Sequence, residues 1–167
     1  NMRFGKLCEY SLGCLRSLGE NSNNLAEIEK QGGLELILQA IQTHDGNTNL
    51  QREAALLCKH LATIPKIASK MVELGIMEAL LGMVGADSET PDLLAIRLNT
   101  LSSLAASSDR AIQQLRAAGG IATVLNAMRN NTTSSDVCRE GMKLLSACGR
   151  AEGFVEDLRA ADGVNVV

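Results

Sequence analysis

The stretch QLRAAGGIATVLNAM, residues 114–128, decides the fold. Its apolar spacing is helical, yet two adjacent glycines interrupt it, each about 1 kcal/mol worse than alanine inside a helix. The same phrase occurs as EIEKQGGLELILQAI at 27–41 and KMVELGIMEALLGMV at 70–84, and starts again as DLRAADGVNVV at 157–167. Aligned on Gly33, Gly75, Gly120 and Gly163, the copies lie 42, 45 and 43 residues apart. Eight residues before each mark stand Leu25, Ile67, Ile112 and Val155. After the marks come Leu34, Ile37, Leu38 and Ile41, then Ile76, Ala79, Leu80 and Met83, then Ile121, Val124, Leu125 and Met128. That spacing is one face of an α-helix. The glycines therefore sit between two short helices, where a left-handed residue ends one and turns the chain into the next.

A longer helical phrase stands beside each of these units: LCEYSLGCLRSLG at 7–19, LQREAALLCKHLA at 50–62, LLAIRLNTLSSLA at 93–105 and VCREGMKLLSACG at 137–149. Their first positions are Leu7, Leu50, Leu93 and Val137, and each phrase closes on a pair of apolar or cysteine residues three apart. Polar turns such as GENSNN (19–24) and NNTTSSD (130–136) separate the helices, and Pro65 and Pro91 fall near helix starts, where proline is tolerated. The spacing predicts long helices near 2–19, 47–63, 90–106 and 135–149.

Composition agrees with an all-helical chain. Of 167 residues, 46% are apolar but only 2% aromatic, and there are two prolines. A net charge of −3 without a basic block argues against nucleic acid as a partner. No apolar run reaches the ~20 residues that cross a bilayer. Five cysteines, Cys8, Cys14, Cys58, Cys138 and Cys148, form no CxxC pair and read as reduced, mostly buried thiols. The expected setting is intracellular, the cytoplasm first and the nucleus as an alternative.

Three helices per unit of about 43 residues, with a glycine joint between the first two, resemble the armadillo repeat family. The resemblance covers the whole chain. It implies an all-α, right-handed α-solenoid with a third helix at 2–19, repeats at 25–62, 66–106 and 109–149, and a partial repeat at 151–167. Such units bury a continuous core between neighbours. The chain opens inside one repeat and stops at the start of a second helix, so it is expected to be a piece of a longer protein. Leu7, Leu12, Val164 and Val166 are the expected apolar patches of its two ends, and end-to-end self-association is expected through them.

No catalytic constellation is visible. His44 lies in the turn THDG, and His60 shares no helix face with Cys58 or Lys59. Carboxylates such as Glu27 with Glu29 and Glu152 with Glu156 read as solvated helix faces. There is no GxSxG, Walker A or GxGxxG motif, so no catalytic residue, metal ligand or cofactor is expected. Met71, Met77, Met83, Met128 and Met142 read as core gap fillers.

The armadillo resemblance implies binding along a concave groove lined by the third helices, where extended partner segments lie. Import adaptors of the family carry tryptophan and asparagine there. In this sequence the tryptophan-equivalent positions are Gly13, Leu56, Asn99 and Lys143, and the asparagine-equivalent ones are Ser17, His60, Ser103 and Ala147. The preceding positions hold Arg16, Lys59, Ser102 and Ser146. Candidate groove residues are therefore Arg16, Ser17, Leu56, Lys59, His60, Asn99, Ser102, Ser103, Lys143 and Ser146. The ionic ones are all cationic, although Glu9, Glu53 and Glu140 stand one turn earlier. A basic groove resembles that of catenin-like members, whose partners are acidic. The expectation is a non-enzymatic scaffold that binds an extended, acidic protein segment, with a transport adaptor or a client- or myosin-directed co-chaperone module as alternatives.

Overall fold

The computed structural model describes residues 2–43, 46–85 and 90–162. The expected His44, Gly163, Val164 and Val166 lie outside them. A first long helix, α1 (Met2–Gly19), is followed by three triplets. These are α2 (Ser22–Lys30), α3 (Gly33–Thr43) and α4 (Thr48–Leu61), then α5 (Pro65–Glu73), α6 (Ile76–Leu81) and α7 (Pro91–Ser107), then α8 (Asp109–Ala117), α9 (Gly120–Asn130) and α10 (Ser135–Cys148). A short α11 (Phe154–Ala160) follows. Local chemistry sets the starts. Asn21, Asn47, Thr90, Ser108 and Ser134 each cap a helix by accepting a bond from a first-turn amide, and Pro65 and Pro91 occupy first-turn positions.

The joint corrects the register read from the sequence. Left-handed backbone falls on Gly32 (φ 82°), Gly75 (φ 81°) and Gly119 (φ 73°), not on Gly33 or Gly120. Asp162 (φ 53°) takes the same conformation in RAADG, so the joints are 43, 44 and 43 residues apart. Aspartate tolerates this region better than most side chains. The second glycine of each pair has a different task. A Cβ on Gly33 would lie 2.6 Å from the Ile28 carbonyl oxygen, and one on Gly120 would lie 2.7 Å from that of Leu115. Here the chain folds back so tightly that only a hydrogen fits. In the middle unit the second place is Ile76, and counted from the left-handed glycine the buried face of α6, Ile76, Met77, Leu80 and Leu81, keeps the register of α3 and α9. The expected Ala79 and Met83 are only partly buried.

The core is one continuous cluster running from Leu12 to Cys148. Positions 50, 93 and 137 of the long helices are almost fully buried, as are 61, 104 and 148. Their counterparts on α1, Leu7 and Leu18, are 61% and 54% exposed because no helix among the described residues covers that side. Leu12, expected in an exposed patch, is buried instead, since its side of α1 faces α4. The equivalent of Leu12, Ala55 and Leu98 on α10 is Met142, which has no following long helix against it and is 41% exposed rather than a core filler. Val155 of α11 is likewise exposed, at the outer side of the last unit.

Among the cysteines, Cys58 and Cys148 are buried, Cys8 and Cys138 partly so, and Cys14 is exposed, which corrects the expectation of mostly buried thiols. Burial pushes the Cys58 thiol up to about 12 and, against the pull of Arg116 and Arg150, that of Cys148 to about 11. Both stay protonated and inert at neutral pH.

Units are also stitched by polar pairs. Lys70 on α5 meets Glu29 on α2 at 2.5 Å, and Arg116 on α8 meets Asp157 on α11 at 2.5 Å while also bonding the Glu152 carbonyl. None of α11 is fully buried. Arg129 donates to the Ala161 and Asp162 carbonyls at the far end of α11, so two arginines hold this last helix by both ends.

Candidate partner-binding groove

The long helices α1, α4, α7 and α10 pack side by side in chain order. Their cross-pairs connect residues at nearly constant separation, Arg16 with Glu53, Glu9 with Asn47 and Asn99 with Glu140, so α1 runs parallel to α4 and α7 to α10. Each has one face in the core and one turned to solvent. On α4 the core face carries Leu50, Ala54, Leu57, Cys58 and Leu61. The opposite face carries Arg52, Glu53, Leu56, Lys59 and His60.

None of the ten sequence-predicted groove residues belongs to the buried core. Ser17, Lys59, Lys143 and Ser146 are exposed, and Arg16, Leu56, His60, Asn99, Ser102 and Ser103 are partly buried. Their engagement differs. The Arg16 Nε bonds Glu53 Oε2 at 2.7 Å and its Nη1 bonds Glu20 at 3.1 Å. The hydrogen bond and the charge of Glu53 raise the Arg16 pKa still further. Lys143 reaches Glu140 at 2.9 Å. Ser103 turns back to the Asn99 carbonyl at 3.1 Å. The Nδ1 of His60 is buried without a partner, near Gly19 rather than in the open groove. Lys59 has no hydrogen-bonding or ionic partner among the described residues.

Glu140 organises the α7–α10 seam. Only 7% of its side chain is exposed, and it accepts bonds from Asn99 Nδ2 at 2.8 Å, Lys143 Nζ at 2.9 Å and Arg139 Nε at 3.1 Å. Burial pushes its carboxyl upward. The three donors outweigh that and hold it below the ordinary glutamate value. Glu29 is lowered too, chiefly by its bond from Lys70. A carboxylate with a lowered folded pKa stabilises the fold above its unfolded pKa of about 4.3 and loses that contribution as pH falls through the folded value. Denaturant midpoints are therefore expected to drop below about pH 4.3, and Glu140→Gln to flatten that drop.

Sequence reading missed Arg52 and Arg139, which hold one aligned position, that of Ala95, one turn before the position of Asn99. Seven residues separate Arg52 from Lys59, two turns on the same helix face, and that spacing was the available signal. Arg52 has no ionic partner among the described residues, whereas Arg139 pairs with Asp136 at 2.8 Å and with Glu140. The α4–α7 seam is packed less closely than the other two and opens a cleft of about 240 Å³. Arg52 and Lys59 form its α4 wall, Ala95 and Ile96 its floor, and Asp136, Arg139 and Glu140 its α10 side. Asp92, in the first turn of α7, stands at one end. Among the described residues no group of three or more His, Cys, Asp or Glu could hold a metal ion, and no helix is long and apolar enough to cross a membrane.

The family model described as the GAC ARM domain matches residues 4–150, which covers α1 through α10. The chain belongs to this family. The solved structures agree on the fold of the GAC ARM domain. It superposes on an engineered protein of known crystal structure with a TM-score of 0.81 at 19% identity, over 95% of this chain and 63% of the other. A designed armadillo repeat protein in complex with the peptide (KR)4 gives 0.78 at 16% identity, over 91% and 62%. Another designed armadillo repeat protein gives 0.66 at 12% identity, over 95% and 83%. The chain thus spans a little under two thirds of the length of the first two. No curated protein sequence matches it. The fold is an α-solenoid of armadillo repeats.

Proposed function

We propose that this GAC ARM domain is a non-enzymatic scaffold that holds an extended protein segment along the outward face of α1, α4, α7 and α10. The observation that carries this reading is the open cleft on that face with two unpaired cations, Arg52 and Lys59, on one wall. Other cations of the groove, Arg16, Arg139 and Lys143, are already neutralised by Glu53, Asp136 and Glu140. Acidic side chains of a partner therefore meet α4 first, not a uniform basic ladder. Nothing on this face resembles a row of tryptophan–asparagine pairs, and the amide of Asn99 is committed to Glu140. That favours a scaffold over a carrier of basic peptides.

The test is selection of binding peptides from a random array, followed by titration at several salt concentrations. Affinity is expected to fall with added salt, because exposed ion pairs are screened beyond a Debye length of ~8 Å at physiological ionic strength. Arg52→Glu with Lys59→Glu is expected to weaken selected peptides about tenfold or more, mainly through slower association, with helicity unchanged. Equal affinity for the double variant, or no salt dependence, would remove the groove from the account.

A further inference from the structure

Among the described residues, large apolar side chains are exposed almost only at the two ends of the stack. Leu7, Tyr10 and Leu18 stand on α1, Met142 on α10 and Val155 on α11, and Leu36 alone lies elsewhere. The two ends have the form of complementary parts of one repeat. α1 is a third helix whose Leu7 and Leu18 are exposed, whereas their counterparts Leu50 and Leu61 are buried in the core that α4 shares with α2 and α3. α11 is a first helix, and its Val155 holds the place at which Leu25, Ala68 and Ile112 are buried. Tyr10 holds the position of Glu53 and Glu140, which bond the preceding long helix, while Met142 holds that of Leu12, whose side faces the following one.

A ladder of ion pairs along the first helices supplies a second, independent match. Counted back from the left-handed residue of each joint, Glu29 and Arg116 stand three residues before it, and Lys70 and Asp157 five before it. The pairs Glu29–Lys70 and Arg116–Asp157 therefore join the same two positions of successive units, with the signs exchanged. The middle step, Val72 and Gln114, is uncharged. Two places on this ladder face no neighbouring unit: Glu27, five before the joint of the first unit, and Arg159, three before the joint of the last. Both are exposed. Arg159 has no ionic partner among the described residues, and Glu27 reaches Lys30 at 4.0 Å and Gln31 within its own helix end. Their charges are opposite. We propose that the protein stacks head to tail on a second copy of itself. α1 of one copy lies against α10 and α11 of the other as its next long helix, and Glu27 of the first pairs with Arg159 of the second. Such a contact leaves one free end of each kind, so copies add without closing.

The experiment is sedimentation equilibrium over a wide range of concentration, with circular dichroism confirming intact helix in every variant. The wild-type mass is expected to rise with concentration past that of two chains. Glu27→Arg and Arg159→Glu each set like charges against one another at every contact, and each is expected to weaken association about tenfold. Mixed in equal amounts, the two variants are expected to assemble again, because every contact between unlike partners then joins opposite charges. Leu18→Asp is expected to abolish assembly, and Leu36→Asp, equally exposed but on α3 away from both ends, to leave it unchanged. The proposal is overturned by a protein that stays monomeric at every concentration or whose mass levels off at two chains. It is equally overturned if the single charge variants assemble as well as the wild type, if their mixture assembles no better than either alone, or if Leu36→Asp matters as much as Leu18→Asp. None of these residues lines the cleft between α4 and α7, so the groove reading is untouched by either outcome.

Discussion

Leu101→Ala is expected to destabilise the fold by about 3–5 kcal/mol, a large share of the roughly 5–15 kcal/mol that holds a domain together. Leu101 lies on α7 with no exposed surface, inside a core that runs unbroken from the first long helix to the last. Removing its methyl groups loses their transfer free energy and leaves a cavity that close-packed neighbours refill only in part. The matched control is Leu36→Ala on α3, where the side chain is 56% exposed and the change should stay within about 0.5 kcal/mol. Urea unfolding followed by circular dichroism checks both. In a stack of nearest-neighbour units, damage at the centre is also expected to lower the cooperativity of the transition, since the two halves lose their coupling.

The second large effect is expected at the joints, where it separates the two glycines of each pair. Gly120→Ala should cost about 3 kcal/mol, the upper part of the range for overpacking. Its new Cβ meets a backbone oxygen, that of Leu115 at 2.7 Å, which cannot move without opening the turn. Gly119→Ala meets nothing within 4 Å, and its cost of about 1–2 kcal/mol is only that of the left-handed backbone. Gly141→Ala is the informative third case. Its Cβ would approach Met128 Sδ at 2.6 Å, but a flexible thioether can swing aside, so the loss should stay below about 1 kcal/mol. Thermal melts of the three variants should rank them in that order, with Gly120→Ala lowest.

The helices and their grouping were legible because apolar spacing and capping residues are local signals. Asn47, Thr90 and Ser134 announce their helices without help from tertiary structure. The joint was legible only to within one residue. Two glycines in a row look interchangeable in sequence, yet one answers to φ and the other to a contact with a carbonyl five residues earlier, and a lone Gly75 followed by Ile76 hides which role is filled. The ends misled for another reason. Leu12 and Met142 occupy the same position on the first and last long helices, and only the presence of a following helix decides that one is buried and the other exposed.

The groove face was legible as a face but not as an electrostatic site. Arg16 and Lys59 are equivalent in sequence, and nothing local says that Glu53, 37 residues from Arg16, will take one of them and leave the other free. Pairing between repeats is a property of the stack. The same holds for Glu140, which looks like a solvated helix residue until α7 brings Asn99 against it.

In the proposed mode of binding, the outward face of the long helices, and not the face of the first helices, receives the partner. The most direct measurement compares two charge reversals of equal size for one peptide that binds. The groove variant carries Arg52→Glu and Lys59→Glu. The outer variant carries Lys30→Glu on α2 and Lys66→Glu on α5, both solvent-exposed. Affinity is expected to fall about tenfold or more for the groove variant and to change less than about twofold for the outer one. Equal losses in both, or a loss confined to the outer variant, would contradict it.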